Sequence, residues 1–173
     1  MEIKRIWLGR DFIPDANSTL RFTYGHIRGY SPADGVRYTP LTTLGGVIEK
    51  NRGVPPFQVP EKILELYEKK DFGNYRNPEL GDVPVAMLYS ADTTGGNSGS
   101  PVLNARGELV GLNFDRTYEA TINDYAWNEG YSRSIGVDIR YILWLIEKYG
   151  GAGSIAREMG VESAVKPDLP VEK

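Results

Sequence analysis

Cysteine is absent from the 173 residues and histidine occurs once, as His26. The first absence excludes disulfides, thiolate metal sites and a cysteine nucleophile, but leaves the compartment open, because many exported bacterial proteins also lack disulfides. The second argues against a zinc centre and limits imidazole chemistry to one position, so no metal and no cofactor is expected. No apolar run approaches the roughly 20 residues of a membrane helix. The opening "MEIKRIWLGRDFIPDANS" lacks the long apolar core of a secretory signal. Positive charge is not in excess either. The formal net charge is -3 and no polybasic run occurs, so neither nucleic acid nor an anionic membrane is an expected partner.

What is present is the material of a soluble globular protein. A hydrophobic fraction of 40% in a chain of this length suffices for one core, which points to one domain or part of a larger one. Residues 19 to 30, "TLRFTYGHIRGY", alternate apolar and polar side chains and predict a half-buried strand, with Leu20, Phe22 and Tyr24 on one side. "SPADG" supplies a turn through Pro32 and Gly35, and a second strand pair is expected across 36 to 48. The prolines of "NRGVPPFQVP" make that stretch a loop. Residues 61 to 70 read as the one clear helix before residue 136, with Ile63, Leu64 and Tyr67 on a shared face. Strands are expected at 83 to 89, 101 to 104 and 108 to 114. From about 136 to 160, "GVDIRYILWLIEKYGG" and "SIAREMG" predict helices, with Val137 in the first and a stop at Gly150 and Gly151. Residues 161 to 173 read as a loose tail. Many short strands closed by a C-terminal helix make the fold mainly β, a Greek-key barrel or sandwich.

The chemistry concentrates in "TTGGNSGSPVLNARGELVGL", residues 93 to 112. A serine hydroxyl attacks a carbonyl only when a base takes its proton and donors stabilise the oxyanion. Glycines at 95 and 96 permit a turn that aims the N–H groups of Gly96 and Ser98 at one point, and Gly99 clears space for substrate. A bare G-x-S-G also occurs in ordinary tight turns. Here, G-N-S-G-S-P-V followed by a strand, a turn and the apolar "ELVGLNF" resembles the nucleophile region of chymotrypsin-like two-barrel peptidases.

A finer resemblance covers nearly the whole chain. "PDANSTLRFTYGHIRGYSPADGV", "TTLGGVIEK", "TGGNSGSPVLNARGELVGLNFDRTYEA" and "YSRSIGVDIRYILWLIEKYGGAG" resemble successive blocks at the C-terminal end of the bacterial dipeptidyl-peptidase family of chymotrypsin-like serine peptidases. The resemblance implies the second, Greek-key barrel of a two-barrel exopeptidase, spanning residues 1 to 173. Such enzymes remove dipeptides from peptides with a free N-terminus and are usually exported to the periplasm or cell surface; a homodimer is allowed for. Ser98 is the implied nucleophile, with oxyanion donors from Gly96 and Ser98 itself. Asn97 stands where trypsin-like zymogens carry an activating aspartate, so activation by that ion pair is not expected.

The family takes its histidine and aspartate from the first barrel, and His26 does not lie where the catalytic histidine falls. The chain is therefore expected to be a C-terminal fragment, its partner a missing N-terminal barrel. Without triad partners, about a thousandfold acceleration over water is left, so the isolated chain is expected to be practically inactive.

Arg116, eighteen positions after Ser98, falls where the family separates acidic from apolar preference, which implies cleavage after Asp or Glu. A planar guanidinium suits that task because it pairs bidentately with a carboxylate. Asp115 matches the position that helps to hold the substrate ammonium, although both roles on neighbouring residues require a bend in the strand. Asp92, six positions before Ser98, is read as structural and paired with Arg116 when no substrate is bound. The competing readings are a glutamyl endopeptidase, whose nucleophile segment also reads "GNSGSPV", and a barrel that binds peptides without catalysis.

Overall fold

The computed structural model describes residues 18–161. They are mainly β, with two antiparallel sheets and a few short helices, and divide into two compact units: residues up to Thr42 with Ala86–Asp138, and Thr43–Val85 with the residues from Ile139 onward.

The first unit carries the strands. β1 (Tyr30–Ala33) and β2 (Val36–Tyr38) form an antiparallel ribbon around the expected turn, with Gly35 at φ 74°. Tyr30 and Tyr38 face each other across it, ring centroids 5.2 Å apart. β3 (Leu41–Thr43), β4 (Pro84–Tyr89), β5 (Pro101–Leu103), β6 (Leu109–Arg116) and β7 (Ser134–Asp138) form a second sheet in the order β3-β4-β7-β6-β5. The β4–β7, β7–β6 and β6–β5 pairs are antiparallel. Met87, Tyr89 and Ala91 are its buried apolar core, with Leu41 and Val102 against them.

The expected strand at 19 to 30 needs correction. Only its C-terminal part joins the sheet: Ile27 bridges Tyr89, Arg28 N–H donates to Leu88 O at 3.1 Å and Ser90 N–H to His26 O at 3.0 Å. Leu20, Phe22 and Tyr24 are 99%, 88% and 83% exposed. Alternation specifies an extended chain, whereas burial needs a facing layer, and none covers this side among the described residues. Residues 1–17 and 162–173, including nearly all of the expected tail, lie outside the described residues.

The second unit is helical and apolar. α1 (Leu44–Glu49) corrects the expectation of a single helix before residue 136. Gly45 and Gly46 weaken its local signal, but Thr43 Oγ1 accepts from Gly46 N–H at 3.4 Å and the Asp82 carboxylate from Gly45 N–H at 2.9 Å. α2 (Glu61–Glu68) follows Pro60 as expected and buries Ile63. Residues 134–138 obey a period of two and form β7, so Val137 is a strand residue. The helix begins only at α3 (Ile139–Trp144), continues in a π-helical turn (Leu145–Tyr149), and is followed by α4 (Gly153–Glu158). Leu44, Ile63, Phe72, Tyr75, Val83, Leu143 and Trp144 form the core. Trp144 is fully buried and its indole N–H donates to Asp71 O at 2.9 Å. The Tyr75 hydroxyl donates to Glu147, and burial together with that carboxylate pushes the phenol above its usual range. Among the described residues no helix is long and apolar enough to cross a membrane.

Candidate active site

The glycine-rich turn around Ser98 links β4 to β5. Gly96 at φ 95° and Gly99 at φ 82° take the left-handed backbone that side chains disfavour. At Gly99 an added Cβ would meet nothing within 4 Å, so the requirement there is conformational rather than spatial. Asn97 closes the turn from both sides. Its N–H donates to Thr94 O at 3.2 Å, and its Oδ1 accepts from Thr94 N–H at 3.0 Å. Gly99 N–H then donates to Asn113 O at 2.7 Å and Ser100 N–H to Asn97 O at 2.9 Å. The N–H groups of Gly96 and Ser98 have no acceptor among the described residues. The Ser98 side chain is exposed, with its hydroxyl donating to Phe114 O at 3.4 Å. An exposed hydroxyl thus lies in one short turn with two unengaged amide donors, as oxyanion chemistry requires.

Asn113 of β6 holds the turn in place. It is buried, and all its polar groups are used: N–H to Ser100 O at 2.9 Å, O from Gly99 N–H, Nδ2 to Asn97 O at 3.3 Å, and Oδ1 from the Tyr89 hydroxyl. The next residue, Phe114, is an extra one. Asn113 pairs with Gly136 but Asp115 with Ile135, so β6 bulges at Phe114. Its carbonyl is the one that accepts from Ser98. The bend sought between Asp115 and Arg116 therefore falls one residue earlier.

Arg116 is half-buried and Asp115 exposed. The Asp115 carboxylate accepts from its neighbour's backbone, Arg116 N–H, at 2.8 Å. The Arg116 guanidinium turns to Asp124: Nη1 to Oδ1 at 2.9 Å and Nη2 to Oδ2 at 3.0 Å, with Nη1 also 3.4 Å from Thr93 O. This corrects the expected pairing with Asp92, whose carboxylate accepts instead from Asn123 Nδ2 at 3.5 Å. The hydrogen bonds that the guanidinium donates to Asp124 raise the arginine's pKa against the lowering effect of burial, and the charges of Asp124, Asp92 and Asp115 add to the rise. Burial raises the Asp92 pKa, opposed by the Arg116 charge.

His26 is exposed, and its hydrogen bonds run through its backbone to Ser90. The Ser98 hydroxyl has a carbonyl partner and no base among the described residues. Those residues also contain no group of three His, Asp or Glu that could hold a metal ion. Sequence reasoning missed Asn113, Thr93 and Asp124. The polar Asn113 in the apolar run "ELVGLNF" was the one available signal.

The chain matches the family Peptidase S46 over residues 2–161. It is 52% identical over 153 residues to the Asp/Glu-specific dipeptidyl-peptidase of Porphyromonas gingivalis, covering 88% of this chain and 21% of that protein. It is 50% identical over 149 residues to dipeptidyl-peptidase 7 of Phocaeicola vulgatus, covering 86% and 20%. The crystal structure of Porphyromonas endodontalis DPP11 in complex with the dipeptide Arg-Asp superposes with a TM-score of 0.82 at 47% identity, covering 85% of this chain and 21% of that one. The chain thus spans about a fifth of the length of the relatives it matches. With a match over 2–161, the chain belongs to the Peptidase S46 family.

Proposed function

We propose that the chain is the C-terminal part of a serine dipeptidyl-peptidase that removes N-terminal dipeptides by cleaving after Asp or Glu. The observation that carries this reading is the turn at Ser98, an exposed hydroxyl with the Gly96 and Ser98 N–H groups unengaged among the described residues. Three features of the relatives support it: dipeptidyl-peptidase activity, Asp/Glu specificity, and a complex with Arg-Asp. The site belongs to the second barrel of a chymotrypsin-like pair in this reading, with the base and its orienting acid supplied from outside the chain.

Ser98 Oγ attacks the carbonyl carbon of the second residue while its proton passes to the base. The N–H groups of Gly96 and Ser98 take up the negative charge on the carbonyl oxygen, each such donor being worth about 3 kcal/mol. The base then protonates the departing amine, and water releases the dipeptide from the Ser98 ester. Arg116 pairs with the side-chain carboxylate of the second residue, and Asp115 helps to hold the substrate's ammonium group, which fixes the length removed. The resemblance supports export to the periplasm or cell surface, and it allows a homodimer. The isolated chain is practically inactive.

The test uses the intact protein and two reporters ending in Asp, one with a free N-terminus and one blocked. Cleavage of the free reporter alone is expected. Cleavage of the blocked one would make the protein an endopeptidase, and cleavage of neither would leave a peptide-binding module.

A further inference from the structure

Asp124 ends the 3-10 helical turn Tyr118–Asp124 and presents both carboxylate oxygens to Arg116, at 2.9 and 3.0 Å. A substrate carboxylate engages a guanidinium in the same two-pronged way. Asp124 therefore already fills the geometry that an acidic substrate needs. The arginine side chain is 22% exposed and the aspartate 41%, so the cation is the shielded partner. The pair is also fastened to the loop segment that leads from β4 into the turn at Ser98: Thr94 Oγ1 donates to Asp124 Oδ1 at 3.1 Å and Arg116 Nη1 reaches Thr93 O at 3.4 Å. Arg116 and Asp124 thus share a mount with Ser98, only a few residues along the chain.

We propose that Asp124 is a specificity-determining residue, the resident counter-ion of Arg116, which a substrate carboxylate displaces and which stays paired when the bound side chain is neutral. This rests on the reading of Arg116 as the acid-selecting residue. A partly buried guanidinium left without a partner is costly. With a neutral side chain in the site, Asp124 removes that cost. With an acidic side chain, two carboxylates compete for one cation, and the more exposed Asp124 is the one that water resolvates at lower cost. Selectivity is a difference between two affinities, so Asp124 narrows the preference that Arg116 creates. It lowers the gain from an acidic residue and the penalty for an apolar one.

The test compares kcat/KM of the intact protein on two free-N-terminus reporters identical except for Asp or Leu as the second residue. Asp124→Asn should lower KM for the Asp reporter and raise the Asp-to-Leu ratio about tenfold, a change equivalent to 1.4 kcal/mol. Asp124→Glu, which restores the charge, should bring the ratio back to within about threefold of wild type. In an Arg116→Gly background, Asp124→Asn should move the ratio by less than about twofold. An unchanged or lowered ratio in Asp124→Asn would overturn the proposal. So would an equal change without Arg116, since Asp124 would then act only by holding the 118–124 turn. If wild type prefers Asp and loses that preference in Arg116→Gly while Asp124→Asn has no effect, this inference fails alone. If wild type cleaves neither reporter, it falls together with the proposed function.

Discussion

The two units are built on opposite principles. The helical one buries Leu44, Phe72, Val83, Leu143 and Trp144 against each other, and gains its stability from apolar area, at roughly 25 cal/mol per Å². The sheet unit has a small apolar core, Met87, Tyr89 and Ala91, beside buried Ser90, Thr93, Asn113, Thr117, Ser132, Arg133 and Ser134. Most of its interior polar groups are paired, Arg28 Nε being a buried nitrogen without a partner among the described residues. Thr93 Oγ1 lies 2.6 Å from Ser134 Oγ, which donates to Ala91 O at 2.8 Å. The Arg133 guanidinium donates to the carbonyls of Gly29, Glu129 and Ser132 at 3.1, 2.9 and 2.7 Å. Apolar packing has no direction, whereas a hydrogen-bond network fixes atoms to a fraction of an ångström and is costly when one member is lost. The candidate site lies in the unit where direction matters.

Four substitutions sharpen or break that contrast. The largest effect is expected from Ser98→Ala in the intact protein, a fall of at least about 10⁴-fold in kcat/KM on the free-N-terminus Asp reporter with the unfolding midpoint unchanged. Retained turnover would remove the sheet unit's claim to the chemistry. Trp144→Ala should cost about 3–5 kcal/mol in denaturant unfolding of the chain, through the cavity it opens in the helical unit. A loss under about 1 kcal/mol would show that this core tolerates voids that close packing does not.

Asn113→Ala should cost about 1–3 kcal/mol by stranding the buried Tyr89 hydroxyl, and should lower kcat more than KM changes, because losing the Nδ2 bond to Asn97 O loosens the turn rather than the substrate contacts. A purely structural Asn113 would shift the unfolding midpoint and leave kcat unaltered. Asp92→Asn is the smallest. Burial raises the folded carboxyl's pKa above the ordinary aspartate value of 3.8, so ionised Asp92 opposes folding above that raised value, and protonation relieves the cost as pH falls. The amide should stabilise the chain at pH 7 by less than about 1 kcal/mol, the carboxyl being partly solvated. The gain should disappear at pH values below 3.8; a loss of stability at pH 7 would mean that Asp92 is held by its neighbours in the ionised form.

What could be read from the sequence follows from the range of the interactions involved. The strands at 84–89, 101–103 and 109–116 and the helix at 61–68 obey local periodicities and stand close to where those periodicities put them. The turn at Ser98 was legible because glycine marks its own backbone requirement. α1 was hidden because its stabilising partner, Asp82, is 37 residues from Gly45. Leu20, Phe22 and Tyr24 show the converse, a local pattern with nothing facing it among the described residues. Arg116 was assigned from resemblance, but its partner Asp124 lies across an irregular turn for which the chain has no periodic signal. The bulge at Phe114 likewise depends on register against β7.

The most direct test of the central claim is covalent. The intact protein is treated with a dipeptidyl phosphonate diester whose second side chain is acidic and whose N-terminus is free, then digested and mapped by mass spectrometry. One adduct is expected, on Ser98, in which the serine oxygen has bonded to phosphorus with loss of one alkoxide or phenoxide, and no adduct with the N-terminally blocked reagent. Modification at another residue, or equal labelling by the blocked reagent, would contradict that claim.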